Sequence, residues 1–124
     1  MQYFLSLGSN INAEANIIFA IEQLNKILAN TKFSSIHKTK AEGFEGDDFL
    51  NLVVAGKSDL SFDDLNEKLK DIENESGRKR DVPKFSARTL DIDIVLQIDE
   101  DEILYESDEI EKYSFVSEPL KEVL

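Results

Sequence analysis

The chain contains no cysteine. That absence excludes disulfides, thiolate zinc sites, iron–sulfur clusters and cysteine nucleophiles, so a metal here has to rely on oxygen ligands. His37 is the only histidine, and with no partner in the sequence to suggest a triad or a metal set it reads as structural. Long apolar runs are missing as well. The opening Met1-Gln2-Tyr3-Phe4-Leu5 has neither a basic start nor an extended apolar core, and nothing downstream approaches the roughly 18 apolar residues that span a bilayer. We expect a cytoplasmic protein with no membrane partner. Positive charge is scarce: 14 Lys and Arg against 26 Asp and Glu leave a net charge of -12, which disfavours nucleic acid and anionic lipid.

What basic charge there is lies together. Arg78, Lys79, Arg80, Lys84 and Arg88 fall within eleven residues, whereas Gln97 to Leu124 carries ten acidic side chains and only Lys112 and Lys121. At 124 residues, with 41% hydrophobic and 32% charged side chains, the chain has the makings of one folded domain over 1–124, with 97–124 as a divergent acidic C-terminal segment.

Gln2 to Leu7 is apolar and aromatic and is closed by Gly8-Ser9-Asn10, which predicts a first strand and a turn. Ile17, Ala20, Ile21, Leu24, Ile27 and Leu28 then recur at spacings of three and four, predicting a helix from Ala13 to Ala29. Lys32 to Lys38 is a weaker strand, Thr39 to Asp48 a polar loop, and Phe49 to Lys57 a stronger strand. Ser61 with Asp64 resembles a capping box ahead of a second helix with Phe62, Leu65, Leu69 and Ile72 on its stripe, ending near Gly77. Arg78 to Ala87 has no period, contains Pro83, and reads as a mobile basic loop. Thr89 to Leu96 alternates, with Leu90, Ile92, Ile94 and Leu96 on one side and Asp91, Asp93 and Val95 on the other. The acidic run Asp99 to Glu102 marks a turn or short edge hairpin. The order strand, helix, strand, strand, helix, strand predicts an α+β, ferredoxin-like βαββαβ fold. Both helices then cover one face of an antiparallel sheet, and the active site takes the other.

Asp91 and Asp93, two apart on a strand, leave the same face about 6.6 Å apart along the backbone. Like charges held so close raise each other's pKa unless a cation lies between them, and magnesium prefers a couple of carboxylates plus phosphate oxygens and water. Taken alone, an Asp-x-Asp is more often an exposed polar strand face. Arg78, Arg80 and Arg88 immediately upstream favour the phosphate reading, because guanidinium groups fork onto phosphates that a metal also holds. Gly8-Ser9-Asn10 is by itself only a turn, and no Walker motif is present.

Together, Leu7-Gly8-Ser9-Asn10, Phe49-Leu50-Asn51, Glu73 with Gly77-Arg78-x-Arg80, and Arg88-Thr89-Leu90-Asp91-Ile92-Asp93 resemble the 6-hydroxymethyl-7,8-dihydropterin pyrophosphokinase family in order and spacing. The resemblance covers Met1 to about Leu96. It implies transfer of the diphosphate of ATP to a pterin hydroxymethyl in folate synthesis, release of AMP, and two magnesium ions with ATP. By residue match, Asp91 and Asp93 would be the metal ligands, and Arg78 and Arg88 would stabilise the transferring phosphates. The loop that starts at Arg78 would close over ATP. Asn51 would hydrogen-bond the pterin edge, Phe49 and Phe115 would sandwich the ring, and Thr39 would lie at its rim. Without the resemblance, Phe49 and Phe115 read equally well as core. Glu73, Arg80 and Lys112 complete the implied substrate-binding set, and the protein is expected to act as a monomer.

The chain departs from the family pattern in places. Where members carry a Pro-His pair and, six residues after the His, an Arg, both of which help hold ATP, this sequence runs from Glu106-Ser107-Asp108 to Lys112-Tyr113. Lys112 is the only nearby cation to substitute. Phe85 stands where Trp is common, Ala87 where Pro precedes the signature Arg, and Lys40-Ala41-Glu42 in place of a proline-bearing loop. The extension that usually follows Pro119-Leu120 is expected to be absent. A homologue that binds pterin or nucleotide without efficient transfer, or a ferredoxin-like regulatory binding module, are the alternative readings.

Overall fold

The computed structural model of the chain describes residues 1–40, 46–77 and 89–124. The basic loop from Arg78 to Ala87, and with it Arg78, Arg80 and Arg88, lies outside the described residues, as does part of the polar loop after Thr39.

Among the described residues the elements follow in the order β1 (Gln2–Ser9), α1 (Ala13–Ile27), β2 (Ala29–Phe33), β3 (His37–Thr39), β4 (Phe49–Lys57), α2 (Phe62–Glu75), β5 (Asp91–Asp99), β6 (Glu102–Glu106), α3 (Glu109–Lys112) and α4 (Ser114–Val123). The strands form one sheet in the order β2-β4-β1-β5-β6, with β3 also on β4. All pairings are antiparallel. Taking β2 and β3 as one interrupted strand, this is the expected ferredoxin-like order with an added edge strand.

One sheet face carries Tyr3, Leu5, Leu7, Leu52, Val54, Ile92 and Ile94, packed against Ile17, Ala20 and Leu24 of α1 and Leu65, Leu69 and Ile72 of α2. These side chains are almost wholly removed from water, and each buried Leu, Ile or Val contributes about 1.5–3 kcal/mol of hydrophobic stabilisation. The Ser61 cap is in place, with its hydroxyl accepting the Asp64 N–H at 3.2 Å.

Several bounds differ from the expectation: β1 runs on through Gly8 to Ser9 instead of turning after Leu7, and β5 spans Asp91–Asp99, starting later and ending later than the expected 89–96. α1 stops at Ile27, because Leu28 turns extended and Ala29 already belongs to β2. The strand expected over 32–38 starts earlier and is interrupted, since Ser34 bonds Val53 with both its backbone N–H and its hydroxyl oxygen, each at 2.9 Å. Leu96 was expected beside Ile94 but sits on the opposite face. The pairing of β1 with β5 slips between Phe4↔Leu96 and Leu5↔Ile94, leaving Val95 as the extra residue of a bulge. A bulge shifts alternation by one residue, so Val95 and Leu96 both face α4.

That second face is therefore only half open. Phe4, Val53, Ala55, Val95 and Leu96 are covered by Val116, Leu120 and Val123 of α4. The expected hairpin at the acidic run joins β5 to β6, with Glu100 and Asp101 at φ 47° and 69°, the left-handed pair that a two-residue hairpin turn requires. Among the described residues no helix is long and apolar enough to cross a membrane.

Candidate active site

Antiparallel register aligns the polar half of the second face in rows. Gly8 of β1 pairs with Asn51 on β4 and with Asp91 on β5, while Ser6 pairs with Val53 and Asp93. His37 faces Asn51, and Thr39 faces Phe49. Residues directly opposite one another share a face, so Thr39, Phe49, Asn51, Asp91 and Asp93 converge although they lie far apart in sequence.

They line one cavity of about 460 Å³, within the range of roughly 300–1,000 Å³ typical of small-molecule sites. Lys112 and Phe115 form its other wall. Seven of the expected site residues, Thr39, Phe49, Asn51, Asp91, Asp93, Lys112 and Phe115, thus come together. Glu73 does not. It sits in the last turn of α2, 3% exposed, and its Oε2 accepts the Ile92 N–H at 2.7 Å.

The pocket is set up for a flat polar ligand at one end. Asn51 is 5% exposed and its Nδ2 donates to Thr39 Oγ1 at 2.5 Å, which fixes the carboxamide. Beneath it Gly8 leaves bare backbone: a β-carbon there would stand 2.9 Å from Asn51 Oδ1 and 3.7 Å from Phe49 Cδ1. Phe115 stacks on Tyr113 with centroids 4.8 Å apart and an interplanar angle of 18°. At the other end the strand geometry presents the Asp91 and Asp93 carboxylates side by side. Among the described residues no group of three or more His, Cys, Asp or Glu could hold a metal. A cation at this pair would draw its remaining ligands from phosphate oxygens and water, which suits magnesium rather than a metal needing an all-protein cage.

Tyr113, Asp108 and Ser6 also line the cavity and were not singled out from the sequence. Ser6 follows from alternation with Gly8, and Asp108 from its four-residue spacing to Lys112. Lys112 Nζ lies 2.9 Å from Asp108 Oδ2, and that hydrogen bond and charge raise the lysine pKa above its ordinary value. His37 fits its structural reading: its Nε2 meets Glu122 Oε2 at 2.5 Å, tying β3 to α4.

The family model of 7,8-dihydro-6-hydroxymethylpterin-pyrophosphokinase matches residues 4–124. The chain belongs to this family. It is 41% identical over 99 residues to the 2-amino-4-hydroxy-6-hydroxymethyldihydropteridine pyrophosphokinase of Aquifex aeolicus, covering 78% of this chain and 61% of that protein. With the Bacillus subtilis protein of the same name it shares 35% over 128 residues, 97% of this chain and 76% of that one. It is also 38% identical over 104 residues to a folate synthesis bifunctional protein of Chlamydia muridarum, 77% of this chain against 23% of that protein. The match reaches through α4, the helix that carries Phe115.

Proposed function

We propose that the chain transfers diphosphate from ATP to 6-hydroxymethyl-7,8-dihydropterin, releasing AMP, as a cytoplasmic monomer in folate synthesis. One observation carries this reading: a single cavity joins a fixed carboxamide and aromatic walls at one end to an aspartate pair at the other. The first suits a pterin edge and ring, the second a metal-bound polyphosphate.

In the reaction the pterin hydroxymethyl oxygen bonds to the β-phosphorus of ATP. The bond from that phosphorus to the oxygen bridging to the α-phosphate breaks, AMP departs with that oxygen, and the hydroxyl proton passes to solvent. Asn51 and Thr39 orient the pterin so that its hydroxymethyl faces the aspartate strand, and Phe49 and Phe115 hold the ring by its faces. Such placement is a main source of acceleration in phosphoryl transfer, where the protein supplies position and charge rather than covalent chemistry. Asp91 and Asp93 would hold magnesium, two ions with ATP on the family pattern, which neutralises charge on the phosphates. Arg78 and Arg88 are proposed to stabilise the transferring group, with Arg80 and Lys112 contributing to nucleotide binding.

Incubating the protein with ATP, magnesium and reduced hydroxymethyl pterin and following AMP tests the reading. Pterin-dependent AMP release is expected. A second reading, binding without efficient transfer, draws on Lys112 being held by Asp108. It would show as ligand binding without AMP.

A further inference from the structure

We infer that Glu73 is a positioning residue for the Asp91 and Asp93 pair, holding the strand that carries them through the Ile92 amide. The inference rests on the proposed metal role of those two aspartates.

β6 pairs with β5 only from Leu96 to Asp99. From Asp91 to Val95, β5 has β1 on one side and, among the described residues, no strand on the other. Open strand edges leave backbone groups that need partners. Here they are met from outside the sheet: the Ser107 N–H donates to the Val95 carbonyl at 2.9 Å, and the Ile92 N–H to Glu73 Oε2 at 2.7 Å. Ile92 stands between the two aspartates. In a strand successive side chains point to opposite faces, so anchoring the residue between them sets the direction of both carboxylates.

Glu73 is suited to that task because it is itself held. It is 3% exposed, and a carboxylate accepting a backbone N–H makes a shorter and stronger bond than a neutral acceptor. Its carbonyl accepts the Ser76 hydroxyl at 2.5 Å, and Ser76 Oγ lies 3.0 Å from Thr89 Oγ1. Ser76 has spent its one proton on Glu73, so Thr89 is the donor in the second bond. Ser9, fully buried at the end of β1, donates to the Thr89 carbonyl at 2.5 Å. The last turn of α2, the approach to β5 and the end of β1 are joined behind the aspartates. The carboxylate that the sequence match assigned to substrate thus acts from the helix side of the sheet.

The test compares Glu73→Gln, Glu73→Ala and Glu73→Asp in the full chain. Hydrogen exchange of the Ile92 amide and Mn2+-dependent affinity for a non-hydrolysable ATP analogue are the readouts, with circular dichroism as the folding control. Glu73→Gln keeps an oxygen acceptor of the same reach and should retain most of both readouts, its bond to the Ile92 N–H being weaker than the carboxylate's. Glu73→Ala should lose Ile92 protection and weaken Mn2+-dependent binding by about tenfold, the scale of a lost hydrogen bond to a charged group, while pterin affinity stays unchanged. Glu73→Asp, one methylene short with its charge intact, should behave like Glu73→Ala and decides the matter if the alanine variant does not fold. A folded Glu73→Ala or Glu73→Asp that binds the manganese complex like the parent overturns the inference. So does a Glu73→Gln that protects Ile92 but loses affinity, because the charge would then act on the ligand directly. Absence of AMP formation by the parent protein would sink the proposed reaction and leave these readouts standing.

Discussion

Gly8 lies directly under Asn51, and a β-carbon on it would come within 2.9 Å of the Asn51 Oδ1. No positive φ is involved at this strand position, so the requirement is for space. Gly8→Ala should keep the fold and push the Asn51 carboxamide off its bond to Thr39, lowering pterin affinity by about tenfold, or about 1.4 kcal/mol. Asn51→Ala should cost about 1–3 kcal/mol of pterin binding, because ring-edge groups are left unpaired. ATP-analogue affinity should hardly move in either variant. Calorimetry showing ATP affinity lost and pterin affinity intact would put the pterin at the wrong end of the cavity.

Asp93 faces the cavity beside Asp91, with Ser6 opposite it on β1. Asp93→Asn preserves shape but removes a hard-cation ligand. Turnover should fall at least about a hundredfold, equivalent to about 2.7 kcal/mol of transition-state stabilisation. Folding should survive, since the side chain points away from the main core and its repulsion with Asp91 is relieved. Steady-state rates and circular dichroism on both proteins check this, and near-normal AMP production by the folded variant would refute the aspartate metal site.

Magnesium with a non-hydrolysable ATP analogue should raise the melting temperature, because a ligand that binds only the folded state adds stability by mass action. The analogue with EDTA should give little of that gain. An equal shift in both conditions argues against metal-bridged nucleotide binding.

Glu122 predicts an acid-side dependence. Hydrogen bonds from the Ser35 backbone N–H, from His37 and from the Ser35 hydroxyl hold its carboxyl pKa down at about 2, against 4.5 ordinarily. A depressed carboxylate pKa gives stability that is present above the unfolded value and lost as pH falls through the folded one. The contribution of this contact should therefore be whole above about pH 5 and disappear as pH falls from 4.5 toward 2. The pair is solvent-exposed, so the effect is small and salt-sensitive. Melting curves of the parent and Glu122→Gln should differ at about pH 6 and converge at about pH 2. A gap that persists unchanged at the acid end would show that the carboxylate charge is not what holds α4 to the segment around Ser35.

Local chemistry made much of this protein legible without coordinates. The spacing of Ile17, Ala20 and Leu24 and of Leu65, Leu69 and Ile72 prescribes helix faces, the Ser61 hydroxyl prescribes where α2 begins, and a two-residue separation obliges Asp91 and Asp93 to share a side of their strand. Those are properties of neighbours in the chain. The bulge at Val95 is not: Val95 and Leu96 are both apolar, so alternation cannot tell which of them is extra, and only the register against Phe4 and Leu5 decides it. Glu73 meets Ile92 because α2 packs behind β5, and α4 covers just half of the second face because its apolar side finds Phe4, Val53 and Ala55 there. The cavity itself, which gathers Thr39, Asn51, Asp93 and Phe115 from distant stretches of sequence, exists because antiparallel pairing lays β4 and β5 on either side of Gly8 and Ser6. Residue types and short-range periods determine the elements and the kind of chemistry. The closing of the sheet, a long-range event, determines which of those residues face one another.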